Sequence, residues 1–465
     1  MQNTPQTSLL TAQVILAFTD IFFLLLWYTE MNRMKKLILI AVVTIISSCN
    51  REKGLSWFST GKADEYFRLT EEICNKDNGK LWGENLCGPI MYVDNGNRDI
   101  YANVADRENN LKAKDGIFTG VLPKERIITN NVIDFGGTKY AMVPLPAEED
   151  SYRILSRTFR SLFHCFQERN GLRPSAFSAR HLNDRNARLY LKLEWKALTY
   201  AIKTSGETRN QAVRDALVFR GARRELFPEA IEDENKFESY EGLTTFTYIK
   251  LCTSGPEEMK QRILEYLDRI YQNRSYAWGY GFVHGALYAT LLDEKGFDFK
   301  QIKQPDYDLG KATLDAYGIT LPAVCRDVAG SLAMSYDIQA IRSEESERLE
   351  QINEHMRHIV NTFLEKPVVI INMESPNFSF EPEDINFLDT LGTLYNRLRV
   401  SDNWGRLAVD DGGALITNDL STLRISARNV LTERNHISGD GWNLVLNDGW
   451  QAAGDGKGGY IVSKK

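Results

Sequence analysis

The segment that most constrains this chain is an amphipathic helix predicted over residues 151–167. Arg160 and His164 lie one turn apart in it and therefore share a helix face. A second helix, predicted over residues 234–251, carries Glu238 and Glu241 three positions apart, again on one face. The sequence therefore predicts a helical core in which an arginine, a histidine and two carboxylates are presented by two helices. The apolar positions of the first helix are Ile154, Leu155, Phe159, Leu162, Phe163 and Phe166.

Four short motifs resemble a family of uncharacterised bacterial secreted proteins and lipoproteins. They are Leu81-Trp82-Gly83-Glu84-Asn85-Leu86-Cys87-Gly88-Pro89, Leu193-Glu194-Trp195-Lys196-Ala197-Leu198, Glu241-Gly242-Leu243 and Trp404-Gly405-Arg406-Leu407. That family carries an intact H-E-x-F-H-x-x-Q and is similar in its motifs to the gluzincin zinc metallopeptidases. The resemblance spans roughly residues 65–430, and it implies a zincin-like fold.

In such peptidases the two histidines of H-E-x-x-H bind zinc, and the glutamate between them is the general base. The resemblance places His164 at the second histidine and Glu241 at the later carboxylate ligand. It places Arg160 at the lost first histidine and Ser161 at the lost glutamate. Tyr288 matches a tyrosine of the family, where it either donates to an oxyanion or packs in the core.

These replacements remove the chemistry that the resemblance would imply. A zinc site needs three protein ligands, whereas arginine is a permanent cation and a serine hydroxyl is no general base near neutral pH. We therefore expect a catalytically inactive pseudo-peptidase with no metal cofactor, in which Arg160 pairs with Glu241 and Glu238 is a second acceptor. The alternative is an active zinc hydrolase with a rebuilt site that uses His164, Glu241 and a histidine from elsewhere, either His284 or His181.

The predicted fold class is α+β, with a zincin-like helical core between two smaller lobes. Short alternating apolar runs after residue 89 predict hairpins in an N-terminal α/β lobe over residues 49–150. This sheet either adds a bound peptide as a further strand or is purely structural. The helical metallopeptidase-like core covers 151–345, and a charged helix with a C-terminal β lobe covers 346–465.

Residues 1–48 read as a leader. Lys35 and Lys36 precede an apolar run, and Ile46-Ser47-Ser48-Cys49 resembles a lipobox in which Cys49 is acylated and becomes the mature N-terminus. A cleaved signal peptide is the alternative. The upstream apolar run 14–28 has two interpretations. It is a membrane helix, or translation starts at Met31 or Met34 and residues 1–30 result from a mis-assigned start. We expect a lipid-anchored protein of the cell envelope, periplasmic or outer-membrane.

Export implies an oxidising compartment, in which Cys74 and Cys87 are candidates for a disulfide. Five cysteines follow Cys49, so at least one thiol stays free. His355 and His358 are spaced for a metal, but without a third ligand a solvated helix face is the better interpretation. A net charge of −6 with scattered basic residues argues against nucleic acid, so the expected partners are the membrane and a peptide or protein ligand.

Overall fold

A computed structural model describes residues 57–380 and 385–465. The chain divides into two compact units, one ending at Ile338 and the other comprising Gln339–Lys465. The division falls at the start of the charged helix, a few residues before the predicted boundary at 345/346. Helices and sheets occur together, which confirms the predicted α+β class.

The first unit contains one mixed sheet of six strands. Three antiparallel hairpins, β1–β2, β3–β4 and β5–β6, follow one another along the chain. A parallel pairing of β1 with β6 joins the last hairpin to the others, giving the order β3-β4-β2-β1-β6-β5. The alternating runs at residues 89–93, 100–104, 117–122, 132–135 and 139–143 predict five strands. Each of these runs overlaps a strand of the sheet, and β3 is additional. The strands are β1 (Ile90–Val93), β2 (Asp99–Ala102), β3 (Lys112–Lys114), β4 (Ile117–Val121), β5 (Val132–Phe135) and β6 (Thr138–Pro144).

A disulfide between Cys74 and Cys87 joins the first helix to the loop before β1, as predicted. Cys165, Cys252 and Cys325 are free thiols. The helices of this unit are α1 (Thr60–Asp77), α2 (Ser151–Arg169), α3 (Arg185–Lys203), α4 (Gly206–Leu226), α5 (Ile231–Phe237), α6 (Leu243–Cys252), α7 (Pro256–Tyr271), α8 (Tyr280–Glu294), α9 (Leu309–Tyr317) and α10 (Cys325–Leu332).

Helix α2 begins at an N-cap, where the Asp150 side chain accepts from the backbone N–H of Arg153. Its apolar side packs on the sheet through Ile154, Phe159 and Leu162, all of which are fully buried. On the other face of the helix, Arg160 contacts Glu241 and Phe282, and His164 contacts Tyr240.

Helices α5 and α6 form one continuous helical run, interrupted by a π-helical turn at Glu238–Gly242. The wider i→i+5 turn changes the direction of the side chains within it. Gly242 of this turn packs directly against Gly285 of α8. A Cβ added to Gly242 would lie 2.5 Å from the Cα of Gly285. Close approach of the two backbones therefore depends on glycine at both positions.

Helix α11 (Ile338–Val360) starts at the last residue of the first unit, and the rest of the helix belongs to the second. A π-helical turn at Asn361–Glu365 and two sheets follow it. The sheets share a core that includes Trp404, Trp442 and Ile425. Their strand orders are β18-β19-β7-β14-β13-β10-β9 and β15-β16-β17-β12-β11-β8. The turns at Asp440-Gly441-Trp442 and Asp448-Gly449-Trp450 predict a final hairpin, and the chain ends in the hairpin β18–β19. The strands are β7 (Val368–Asn372), β8 (Asn377–Ser379), β9 (Ile385–Phe387), β10 (Thr393–Tyr395), β11 (Leu398–Asp402), β12 (Gly405–Val409), β13 (Ala414–Ile416), β14 (Thr422–Ser426), β15 (Leu431–Glu433), β16 (His436–Gly439), β17 (Trp442–Leu446), β18 (Trp450–Gly454) and β19 (Tyr460–Lys464).

Among the described helices, none combines the length and the apolar character that a membrane crossing requires. The predicted leader, the run 14–28 and the lipobox with Cys49 lie outside the described residues.

Candidate functional site

Arg160 of α2 and Glu241 of the π-helical turn form the centre of the site. Arg160 donates from Nη2 to Glu241 Oε2 over 2.8 Å. The side chains are 22% and 12% exposed, so the pair is mostly shielded from water. The predicted ion pair is therefore present.

His164 is buried beside this pair and held in one orientation. Its Nδ1 lies 2.9 Å from Gln167 Oε1. Gln167 is itself oriented by its Nε2, which donates to the backbone carbonyl of Tyr240 over 2.9 Å. The amide oxygen of Gln167 must therefore face the ring, so His164 carries its proton on Nδ1 and donates it to Gln167.

Nε2 of His164 consequently carries no proton and has a lone pair that can accept a hydrogen bond. It is buried, it accepts no hydrogen bond from any described residue, and it lies 3.7 Å from Glu241 Oε2. Burial, together with the positive charge of Arg160, lowers the pKa of His164 to about 3. A neutral imidazole with Nδ1–H bound to an acceptor and Nε2 free is the form in which histidine binds metals.

Burial raises the pKa of Glu241 above its usual value, and Arg160 partly offsets this rise by charge and by hydrogen bonding. Aromatic rings surround the pair. Tyr240 packs on the His164 ring at 4.7 Å between centroids, and Phe282 lies under the Arg160 guanidinium at 5.0 Å. The site thus presents one cation, one carboxylate and one lone pair within an aromatic wall.

Ser161 faces the sheet and not the centre of the site. Its hydroxyl donates to the backbone carbonyl of Met142 in β6 over 2.8 Å and accepts from the side chain of Asn130. Ser161, at the position of the lost glutamate, therefore links α2 to the sheet by a hydrogen bond. Neither of its two partners would activate it as a base or a nucleophile.

The structure corrects the role predicted for Glu238. The π-helical turn directs Glu238 away from Arg160 and into a second cluster, where both of its oxygens accept from Arg220 of α4, over 2.9 and 2.7 Å. The prediction that Glu238 shares a face with Glu241 assumed an ordinary α-helical turn. It fails because the wider turn separates the two side chains.

His284, Tyr288 and His181 also belong to this second cluster. Trp195 Nε1 donates to His284 Nδ1 over 2.9 Å, which leaves the proton on Nε2, 3.0 Å from Glu194 Oε1. The Tyr288 hydroxyl also donates to Glu194. His181 lies 2.9 Å from Glu234. The structure therefore does not bring His284, His181 or Tyr288 to the Arg160–Glu241 pair.

Sequence reasoning missed this cluster. Its fully buried members include Glu194, Arg223 and Glu238, and Arg223 bonds both Glu194 and Glu234. Opposite charges hold the pKa of Glu234 well below its usual value. A signal was present, because Glu194 and Arg223 interrupt apolar helical stripes where a lone charge would be costly. The local pattern could not show which charges would meet.

The residues at the centre fit a zinc ion poorly. His164 Nε2 and Glu241 supply two donors, whereas a zinc site needs three, and Arg160 adds a cation beside them. Within residues 57–380 and 385–465 no group of three His, Cys, Asp or Glu side chains is arranged to hold a metal.

Comparison with known proteins identifies no relative: no family model, curated protein or solved structure matches the chain. The family resemblance thus rests on the motifs alone.

Proposed function

We propose that the first unit is a catalytically inactive, peptidase-like module of an exported, lipid-anchored protein, and that it serves in binding or scaffolding. The observation that carries the proposal is the contact of Arg160 with Glu241 beside the free Nε2 of His164. Two side chains have the chemistry of metal ligands, and a guanidinium takes the place of a third.

The charges explain why such a site would persist without metal. A buried carboxylate without a counter-charge is costly, and a guanidinium supplies both charge and matching hydrogen bonds. Gln167 still holds His164 with its lone pair toward Glu241. In the proposed site, His164 and Glu241 are thus the two ligands that remain, and Arg160 replaces the one that was lost.

Metal uptake by repaired variants tests the proposal. Arg160→His supplies a third ligand beside His164 and Glu241. Ser161 is left unchanged, because its side chain is buried against β6 and a glutamate there would not reach the site. We expect about one zinc per chain in the Arg160→His variant and no zinc in the natural sequence. Arg160→Lys, which keeps the cation, is the matched control and should bind none.

The outcomes separate the two functions. Folded Arg160→His protein that takes up no zinc at saturating concentration would contradict the proposal. Near-stoichiometric zinc in the natural protein would instead support the active hydrolase with a rebuilt site, and a broad peptidase screen would then be informative. Circular dichroism of each variant establishes that folding is retained.

A further inference from the structure

Nε2 of His164 is a buried hydrogen-bond acceptor without a partner among the residues that the structure describes. The side chain is 1% exposed. The ring cannot turn toward another donor, because Nδ1 donates to Gln167, and Gln167 is held in turn by the backbone carbonyl of Tyr240. Buried polar atoms are hydrogen-bonded as a rule, so this lone pair favours a donor supplied by a bound molecule.

A second acceptor lies beside the first. Oε2 of Glu241 is 3.7 Å from Nε2 of His164 and accepts one hydrogen bond, from Arg160. Oε1 of Glu241 accepts none from the described part of the chain. The Glu241 and Arg160 side chains are 12% and 22% exposed, so water reaches this end of the site. The site therefore offers two neighbouring acceptors next to solvent.

The spacing of the two acceptors limits the kind of donor. A single atom at an ordinary hydrogen-bond distance of about 2.9 Å from both acceptors would see them at an angle of about 80°. That atom must carry at least two hydrogens, since one N–H or O–H bond can point fully at only one acceptor. An alcohol oxygen and a secondary amide nitrogen do not meet this requirement, whereas the nitrogen of a primary amine does.

Charge selects among the groups that carry two hydrogens. A primary ammonium has three N–H donors, and its hydrogen bonds to a carboxylate are about twice as strong as those of a neutral carboxamide. Arg160 gives Glu241 only one of its nitrogens, Nη2, so the carboxylate keeps lone pairs for a second donor. Because the Arg160 side chain is 22% exposed, water weakens its repulsion of a second cation. An ammonium is therefore the head group that fits both acceptors.

Aromatic rings next to the same acceptors favour an apolar body. Tyr240 packs on His164, and Phe177 stacks on Phe237 at 4.7 Å between centroids. Phe282 contacts Phe237 at 5.5 Å. Phe177 and Phe282 are half-buried, so both keep ring surface that a ligand can cover.

We propose that the site of Arg160, His164 and Glu241 binds a primary amine with an apolar body, whose ammonium group donates to Nε2 of His164 and to Glu241. The inference rests on the proposed binding role of this module and names the class of ligand.

Isothermal titration near neutral pH with phenethylamine and three analogues tests the inference. N,N-dimethylphenethylamine keeps the charge but has one N–H, 3-phenylpropionamide keeps two N–H groups without the charge, and 2-phenylethanol lacks both features. We expect one-to-one binding of phenethylamine, and binding of each analogue weaker by about tenfold. An analogue that binds as tightly as phenethylamine, or the absence of saturable binding by phenethylamine, would overturn the inference.

Nitrogen spectra of selectively labelled histidine locate the binding. On saturation with phenethylamine, the chemical shift of His164 Nε2 should change as this atom accepts a hydrogen bond, while Nδ1 stays protonated. Exposed His436 is the internal reference and should not move. Binding that leaves His164 Nε2 unchanged would place the amine elsewhere and contradict the proposal.

Glu241→Gln keeps the size of the side chain and removes its charge, so it should weaken phenethylamine binding by about tenfold or more. Glu84→Gln is the matched control, since Glu84 forms an exposed pair with Arg169 and its change should leave binding unaltered. Equal binding by Glu241→Gln and the natural protein would count against the inference. If Glu241→Gln does not fold, the analogue series and the His164 spectrum of the natural protein decide.

Zinc uptake by Arg160→His, which tests the proposed function, is measured independently of amine binding. Zinc uptake by that variant without amine binding by the natural protein would overturn this inference alone. Amine binding without zinc uptake would overturn the derivation of the site from a metal centre and leave the ligand class in place.

Discussion

Arg160 donates through Nη2 to Oε2 of Glu241 over 2.8 Å, joining α2 to the π-helical turn between α5 and α6. The two residues are far apart in the sequence, and among the residues that the structure describes neither has a second ion pair as short as this one. His164 Nε2 lies 3.7 Å from the same carboxylate oxygen. One carboxylate therefore faces both a permanent cation and a neutral imidazole.

Arg160→Ala should destabilise the protein by about 2 kcal/mol at neutral pH, because a mostly buried carboxylate loses its charged partner. The loss should shrink on acidification. The Glu241 pKa is already raised above its usual value, and removing Arg160 raises it further. The additional loss is therefore absent where Glu241 is protonated in both proteins, and it grows as pH rises through the raised pKa.

Urea denaturation at several pH values measures this effect. Arg169→Ala is the control. Arg169 lies on the same helix as Arg160 and forms an exposed ion pair with Glu84, which precedes β1, so its loss should cost under about 1 kcal/mol. An Arg160→Ala loss that is no larger, or that does not change with pH, would show that the pair is weak.

The imidazole of His164 should be neutral and protonated on Nδ1 from pH 8 down to about pH 4, because its pKa is lowered to about 3. In the unfolded chain His164 has an ordinary pKa near 6.5. Between about pH 6.5 and pH 3 the unfolded state therefore binds more protons than the folded state, so the free energy of unfolding falls as the pH is lowered through this range. Nitrogen chemical shifts of selectively labelled histidine report the tautomer directly. A spectrum showing the proton on Nε2, or titration near pH 6.5, would contradict the assignment.

Gly285→Ala should destabilise the protein by about 1–3 kcal/mol or more, because the added Cβ would lie 2.3 Å from the backbone oxygen of Glu238. Gly330→Ala in α10 is the control. Nothing lies within 4 Å of its added Cβ, so the better helix propensity of alanine should stabilise by up to about 1 kcal/mol. Thermal unfolding of the two variants gives opposite shifts if the backbone contact is as close as described.

The disulfide between Cys74 and Cys87 should contribute about 3 kcal/mol, by constraining the unfolded chain. Cys74→Ala/Cys87→Ala measures it in denaturant. Peptide mapping of unreduced, unfolded protein should show alkylation at Cys165, Cys252 and Cys325 and none at Cys74 and Cys87. Alkylated Cys74 would mean that the bond does not form.

Cys49→Ala should abolish acylation and detergent-phase partitioning, because Cys49 is the lipid-accepting position of the predicted lipobox. Mass spectrometry of the envelope fraction, with the natural sequence as the reference, measures the lipid. Acylated protein recovered from the variant would exclude this anchor.

The sequence alone was sufficient for the features that depend on local periodicity. Helical spacing gave α2 and placed Arg160 and His164 on one face, and short alternating runs gave five of the six strands of the first sheet. Cys74 and Cys87, which export made candidates for a disulfide, are bonded. The family resemblance placed Arg160 and Glu241 at one former metal site, where a buried carboxylate needs a counter-charge, and this predicted ion pair is present.

Only the tertiary structure decided how the remaining charges are distributed. The π-helical turn sends Glu238 to Arg220 while Glu241 meets Arg160, and a regular helical period cannot show such a turn. Glu194 likewise contacts His284 and Arg223, which belong to other helices. Periodicity determines which side chains share a face, but which faces meet depends on packing between segments that are distant in the sequence, and that packing selects the partners of every buried charge.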